Sequence, residues 1–174
     1  MNMAEIIKVY RQSVDAMKFI GKRYTNNDRV DGHFGAKWGE WHSNGWFDII
    51  EALTSDDFKA SYEDCDAQIG LMREKGGDFD TFEYWVGSFV QADANVPEGY
   101  EFVDFPKCDL GVCWICGKED EVFMREGECG ERLKKEGFDI INEWCFERYV
   151  CPRFTTPDEH GNIIIDICFF VASE

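Results

Sequence analysis

Apolar and polar residues recur with two different periods along the chain, and these periods predict where strands and helices lie. Two stretches rich in β-branched and aromatic residues, 6–10 and 17–24, predict an opening strand or hairpin. Large apolar residues between 34 and 53 recur at helical spacing and predict a first helix. Because glycines interrupt this pattern, we expect the helix to break near Asn44-Gly45.

The rest of the chain predicts two further hairpins, one strand and one helix. The runs 68–72 and 82–90 flank Lys75-Gly76-Gly77-Asp78, whose glycines allow the positive φ of a tight turn. A connector over 93–106 carries two prolines and leads to a strand over 110–116. Residues 119–135 predict a second helix with early acids and late lysines, which Gly137 ends. The strand-like runs 144–151 and 163–171 predict the last hairpin.

The two halves, about 5–92 and 96–174, share the order strand, helix, strand, strand, which indicates an internal duplication. The predicted fold class is therefore α+β, with one domain over residues 1–174. We expect a curved antiparallel sheet with two helices on one face and a central ligand cleft.

The charge of the chain restricts its partners. Against 35 Asp and Glu stand 18 Lys and Arg, giving a formal net charge of −17. Such a surface repels phosphate backbones and anionic lipid, so we expect no direct nucleic acid and no membrane as partners. The same field attracts cationic small molecules, although the charge also serves simply to keep an aromatic-rich chain in solution.

The N-terminal residues show no basic stretch followed by an apolar run, so the expected localisation is cytoplasmic. The most apolar run, 163–171, contains Asp166 and is too short to span a bilayer. In a reducing compartment the eight cysteines are expected to be thiols.

Several motifs in a shared order resemble the GyrI-like family, the effector-binding domain of drug-sensing AraC- and MerR-type regulators. The resemblance covers nearly the whole chain and is that of a free-standing member, since the strand pattern begins near residue 5. It rests on Met17-Lys18-Phe19-Ile20-Gly21-Lys22, Trp38, Val96-Pro97-Glu98-Gly99-Tyr100, Phe146-Glu147-Arg148-Tyr149 and Asp166-Ile167-Cys168-Phe169-Phe170-Val171.

The resemblance implies a binding module for bulky, cationic or lipophilic aromatic small molecules, with Glu147 as the central acid. Strand alternation places Glu147 and Tyr149 on one face, where the phenol can orient the carboxylate. The alternative is that Glu147 pairs across the sheet with a lysine or arginine on a solvated face.

Aromatic residues are abundant enough to line a ligand site as well as a core, with 6 Trp, 6 Tyr and 15 Phe. Aromatic faces attract cations and stack on planar ligands. The candidate ligand-binding residues are Trp38, Trp41, Trp85 and Trp114, of which we expect about half to contact ligand.

An enzymatic function stays open beside the binding function. Some GyrI-like proteins resemble this chain and hydrolyse the strained cyclopropane rings of DNA-alkylating natural products. In that case Glu147 and Tyr149 are the candidate catalytic residues, activating water and polarising the leaving group. No cofactor and no metal are expected, because Cys113-x-x-Cys116 lies in a strand-like run and the three histidines form no ligand pair. The sequence identifies no protein partner.

Overall fold

The computed structural model describes residues 3–174 and contains eight strands and four α-helices in that part of the chain. The strands are β1 (Glu5–Val14), β2 (Met17–Thr25), β3 (Gln68–Arg73), β4 (Glu83–Gln91), β5 (Glu101–Phe105), β6 (Cys108–Gly117), β7 (Ile140–Tyr149) and β8 (Ile163–Val171). The helices are α1 (Gly35–Asn44), α2 (Trp46–Glu51), α3 (Asp56–Ser61) and α4 (Glu126–Lys135).

The chain divides into two compact units, one continuous and one split. The continuous unit spans residues 15–107, and its antiparallel strands lie in the order β3-β4-β2-β5. Helices α1 and α2 pack on β4. Between them Gly45 adopts the left-handed conformation at φ 66°, which ends one helix and starts the next. The predicted break near Asn44-Gly45 is confirmed.

The split unit joins the residues up to Val14 to residues 108–174, with antiparallel strands in the order β1-β6-β8-β7. Helix α4 packs on β6, β7 and β8. Its buried residues Cys129 and Leu133 join Cys113, Ile165 and Ile167 of the strands in one apolar cluster. This cluster is the core of the split unit on the side of the sheet that faces α4.

Both units follow the same pairing scheme, which confirms the α+β class, the antiparallel strands and the repeated strand, helix, strand, strand order. The hairpins β3–β4 and β7–β8 are confirmed as well. The alternative of an opening hairpin is wrong, because β1 pairs with β6, whereas β2 pairs with β4 and β5. The units therefore differ from the predicted halves, 5–92 and 96–174, by one strand each. Strand β1 belongs to the split unit, and strand β5 belongs to the continuous unit.

Other element boundaries also need correction. The proline-containing connector holds the short strand β5, which pairs with β2 at the edge of the sheet. Prolines beside an edge strand interrupt no ladder of hydrogen bonds. The second helix starts at Glu126 rather than 119, because Met124 takes a positive φ of 62° just before it. Helix α3 was not predicted, and β7 ends at Tyr149 rather than Cys151.

Among the described residues, no helix is both long and apolar enough to cross a bilayer.

Candidate functional site

The carboxylate of Glu147 lies near the end of β7 and accepts a hydrogen bond from the phenol of Tyr149. The two oxygens are 3.0 Å apart, so the predicted placement of both residues on one strand face is confirmed in geometry. Only 5% of Glu147 is exposed, whereas Tyr149 is half-buried. A buried carboxylate held by a phenol is the kind of group that recognises a ligand.

The strand register shows which side of the sheet Glu147 faces. Glu147 lies opposite Ile167, which in turn lies opposite Cys113. Residues directly opposite in antiparallel strands share a face. Glu147 therefore lies on the side of the apolar cluster under α4, to which Tyr149 also contributes.

The next residue, Arg148, belongs to the other face. Its guanidinium donates to Asp166 at 2.8 Å, and both side chains are fully buried. Asp166 also pairs with Arg153, whose Nε lies 2.8 Å from Oδ1. Two hydrogen bonds from Arg148, to Gln12 at 2.9 Å and to Tyr10 at 3.3 Å, complete the network. The charge of Arg148 is thus committed to a structural network on the face away from Glu147.

Trp114 lies beside the network of Arg148 and Asp166, on the face of the sheet away from Glu147. It is opposite Asp166 in the register, and its indole donates to the Tyr10 hydroxyl at 3.2 Å. Two cations lie over its ring, Lys8 at 4.4 Å and Arg153 at 4.6 Å from the centroid. The structure therefore separates this predicted ligand-binding residue from the predicted central acid by the thickness of the sheet.

Trp38 and Trp41, on α1 of the continuous unit, are brought together around Phe47. Their ring centroids lie 5.7 and 4.7 Å from that of Phe47. Trp38 donates to the Tyr84 hydroxyl at 2.9 Å and Trp41 to the Tyr24 hydroxyl at 3.0 Å. Trp41 is fully buried and Trp38 half-buried, so of these two residues only Trp38 is partly accessible to solvent.

Trp85 lies on the opposite face of the same sheet. Its neighbour Tyr84 contacts Trp38, and alternation along β4 turns Trp85 away. Its ring meets Phe19 at 6.1 Å and 82°, and Phe19 meets Phe89 at 5.5 Å and 75°. With 6% exposure, Trp85 is a core residue of the continuous unit.

Glu126 is a partly buried acid that the sequence analysis did not single out. Its spacing from Cys129, Gly130 and Leu133, the buried residues of α4, places it on the sheet-facing side. Burial raises the pKa of its carboxyl, so the proton is held to a higher pH than usual. The available signal is an acid at the start of an apolar helix stripe, and the same acid also suits the helix dipole.

The cysteines of the Cys113-x-x-Cys116 motif point to opposite faces. The Cys113 thiol is buried against α4, 3.8 Å from the carbonyl oxygen of Cys129, while Cys116 lies half-buried on the other side. Burial raises the pKa of the Cys116 thiol. Within residues 3–174, no three His, Cys, Asp or Glu side chains are grouped as metal ligands.

The sequence matches no protein-family model and no curated protein. Solved structures with a similar fold include SAV2435 bound to tetraphenylphosphonium, at 14% identity and a TM-score of 0.63, covering 96% of this chain and 95% of that one. A hydrolase from Listeria innocua matches at 11% identity and a TM-score of 0.53, over 95% of this chain and 92% of that one.

A third similar structure is that of EcmrR in a complex with DNA. It shares 13% identity, with a TM-score of 0.60. The match covers 96% of this chain but only 58% of EcmrR. At such identities the likeness to all three proteins establishes a shared fold.

Proposed function

We propose that this protein is a small-molecule-binding module of the GyrI-like type, which takes up bulky, cationic or lipophilic aromatic compounds. The observation that carries the proposal is the buried carboxylate of Glu147, held by Tyr149 at 3.0 Å on the helix-covered face of the split unit. A carboxylate in apolar surroundings gains more from a cationic partner than a solvated one does.

The neighbouring charges favour this function. Arg148 is committed to Asp166 on the other face of the sheet. The net charge of −17 raises the local concentration of cations around the whole protein. The shared fold adds support, because SAV2435 has a structure with the aromatic cation tetraphenylphosphonium bound.

Trp38 is the aromatic candidate for stacking on a ligand. Its ring is half-buried and fixed by the hydrogen bond to Tyr84, so contact with a ligand would immobilise no flexible side chain. Trp41 is covered and is assigned the role of supporting Trp38 through Phe47. Trp85 is a core residue, and Trp114 lies on the face of the sheet away from Glu147. We therefore expect neither tryptophan to contact a ligand bound at Glu147.

Isothermal titration calorimetry with tetraphenylphosphonium tests the proposal directly. We expect saturable binding of one ligand per chain, weakened when Glu147 is replaced by Gln. If circular dichroism shows that the protein is folded and the titration at low ionic strength still gives no saturable binding heat, the proposed function is contradicted.

Hydrolysis is the second candidate, favoured by one specific feature, the pairing of an acid and a phenol within hydrogen-bonding distance. In such a reaction Glu147 would accept a proton from water while Tyr149 polarises the leaving group. An aryl-substituted, strained cyclopropane substrate should then disappear faster with protein than in buffer, and Glu147→Ala should lower turnover by about 100-fold. Equal rates with wild-type protein and buffer would exclude this candidate and leave binding unaffected.

A further inference from the structure

The ammonium group of Lys22 lies against two aromatic rings in the continuous unit. Its Nζ is 4.5 Å from the ring centroid of Trp46 and 4.9 Å from that of Tyr100. The same nitrogen donates to the carbonyl oxygen of Gly99 at 2.8 Å. Two aromatic faces and a carbonyl oxygen around one cation are the elements of an amine-recognition site. We call Trp46, Tyr100 and the Gly99 carbonyl the ammonium cage.

The walls of the cage are held by contacts that do not involve Lys22. Trp41, which is fully buried, meets Trp46 edge-on at 5.6 Å and 88°, and it meets Tyr100 at 6.0 Å and 74°. The Tyr100 hydroxyl donates to the backbone oxygen of Trp46 at 3.2 Å. The cage therefore keeps its shape when its occupant leaves, as a preorganised site requires.

The carbonyl of the cage is also fixed by the backbone. Gly99 has a φ of 89°, a conformation that residues with a side chain rarely adopt. The turn is closed by a hydrogen bond from the Tyr100 amide to the Pro97 carbonyl at 3.2 Å. The Gly99 oxygen is consequently presented towards the cage by the turn and not by the lysine.

Lys22 is an occupant that solvent can replace. Its hydrogen bond to Gly99 lies at the surface, and a lysine gains rotamer freedom when its ammonium returns to water. At exposed sites a cation over an aromatic ring is favoured by only about two- to fivefold over the free ion. A ligand amine that the acidic surface concentrates near the cage therefore has to overcome only this weak occupancy by Lys22.

We propose that the ammonium cage is a binding site for a primary alkylammonium group of a small molecule, and that Lys22 fills it until such a group displaces the lysine. The Gly99 carbonyl selects an amine that carries N–H donors, because a quaternary ammonium has none to give it. The site uses neither Glu147 nor Tyr149, so the proposal goes beyond the proposed function and does not depend on it.

The test is a titration with n-butylammonium, a mimic of the lysine side chain, followed by the chemical shift of the Trp46 indole N–H. The full chain is used at constant ionic strength. Lys22→Ala should bind n-butylammonium about three- to sixfold more tightly than wild type, because the competing occupant is gone. Lys22→Gln, which keeps the length without the charge, serves as a second variant if the alanine variant is unstable.

Three matched measurements decide the outcome. n-Butanol and tetramethylammonium should bind at least threefold more weakly than n-butylammonium, because one lacks the charge and the other lacks the N–H donors. Tyr100→Leu in the Lys22→Ala background should weaken binding at least threefold, read at the Trp46 indole N–H in a variant shown to be folded. Glu147→Gln should leave all these values unchanged, which separates this site from the proposed aromatic-cation site.

If Lys22 has only a structural role, the binding measurements give different results. If Lys22→Ala only lowers the melting temperature and gains no affinity, or if the three probes bind equally, the cage is a packing arrangement and the proposal is overturned.

Discussion

Replacing Glu147 by Gln should weaken a cationic aromatic ligand far more than a neutral ligand of similar shape. The substitution keeps the size of the side chain and a hydrogen bond to Tyr149, and it removes only the charge. A cation about 4 Å from the carboxylate gains about 4 kcal/mol at an effective dielectric constant of about 20. Desolvation of the cation offsets about half of this gain, so the expected loss is about 2 kcal/mol, or about 30-fold in Kd.

Calorimetric titration of tetraphenylphosphonium and of neutral triphenylphosphine oxide into wild type and variant measures this difference. The neutral ligand should lose less than about threefold, since it has no charge to pair. Glu143→Gln is the matched control, because Glu143 is an exposed acid on the same strand. It should change either Kd by less than about twofold.

Two results would refute this reasoning. Equal losses for both ligands in Glu147→Gln would mean that the carboxylate shapes the site without pairing with charge. Equal losses for the cation in Glu147→Gln and Glu143→Gln would mean that the overall field of the acidic protein, and not the buried carboxylate, attracts the ligand.

Tyr149→Phe should weaken the cationic ligand by about fivefold, less than Glu147→Gln, because it removes only the hydrogen bond that orients the carboxylate; calorimetry measures this. Arg148→Met should lower the free energy of unfolding by about 3 kcal/mol in urea titrations, since it breaks a fully buried pair with Asp166, and an unchanged midpoint would contradict the network. Because burial raises the pKa of Glu126 above its unfolded value, its contribution to stability is present at acidic pH and is lost as the pH rises through the folded pKa. Glu126→Gln should therefore be more stable than wild type near neutral pH and show a flatter pH profile in the same titrations. Duplex DNA should show no retardation on mixing with the protein at moderate salt, and a salt-sensitive complex would contradict the prediction from the charge of −17.

Features set by neighbouring residues could be predicted from the sequence. The turn around Gly76-Gly77 and the break at Gly45 follow from local backbone preferences, and all three glycines have a positive φ in the structure. The pairing of Glu147 with Tyr149 follows from the two-residue period of a strand. In each case the cause lies within a few residues of the effect.

Features set by distant residues could not be predicted. Alternation alone says that Cys113 and Trp114 face opposite sides, but the register with β8 decides which of them shares a face with Glu147. The same holds for β1, because nothing in its sequence distinguishes β6 from β2 as its partner. The burial of Glu126 could not be predicted, because an acid in a first helical turn interacts favourably with the helix dipole whether it is buried or exposed.

The exchange of edge strands has a consequence for how the chain matures during synthesis. The pairs β2–β4, β2–β5 and β3–β4 can all form once residue 107 has left the ribosome. In contrast, β1 is made first but pairs with β6, as in the contact of Glu5 with Cys116. The first ten-residue strand must wait, unpaired, while the whole continuous unit is translated. During that interval we expect β1 to be the segment most open to chaperones and to wrong partners.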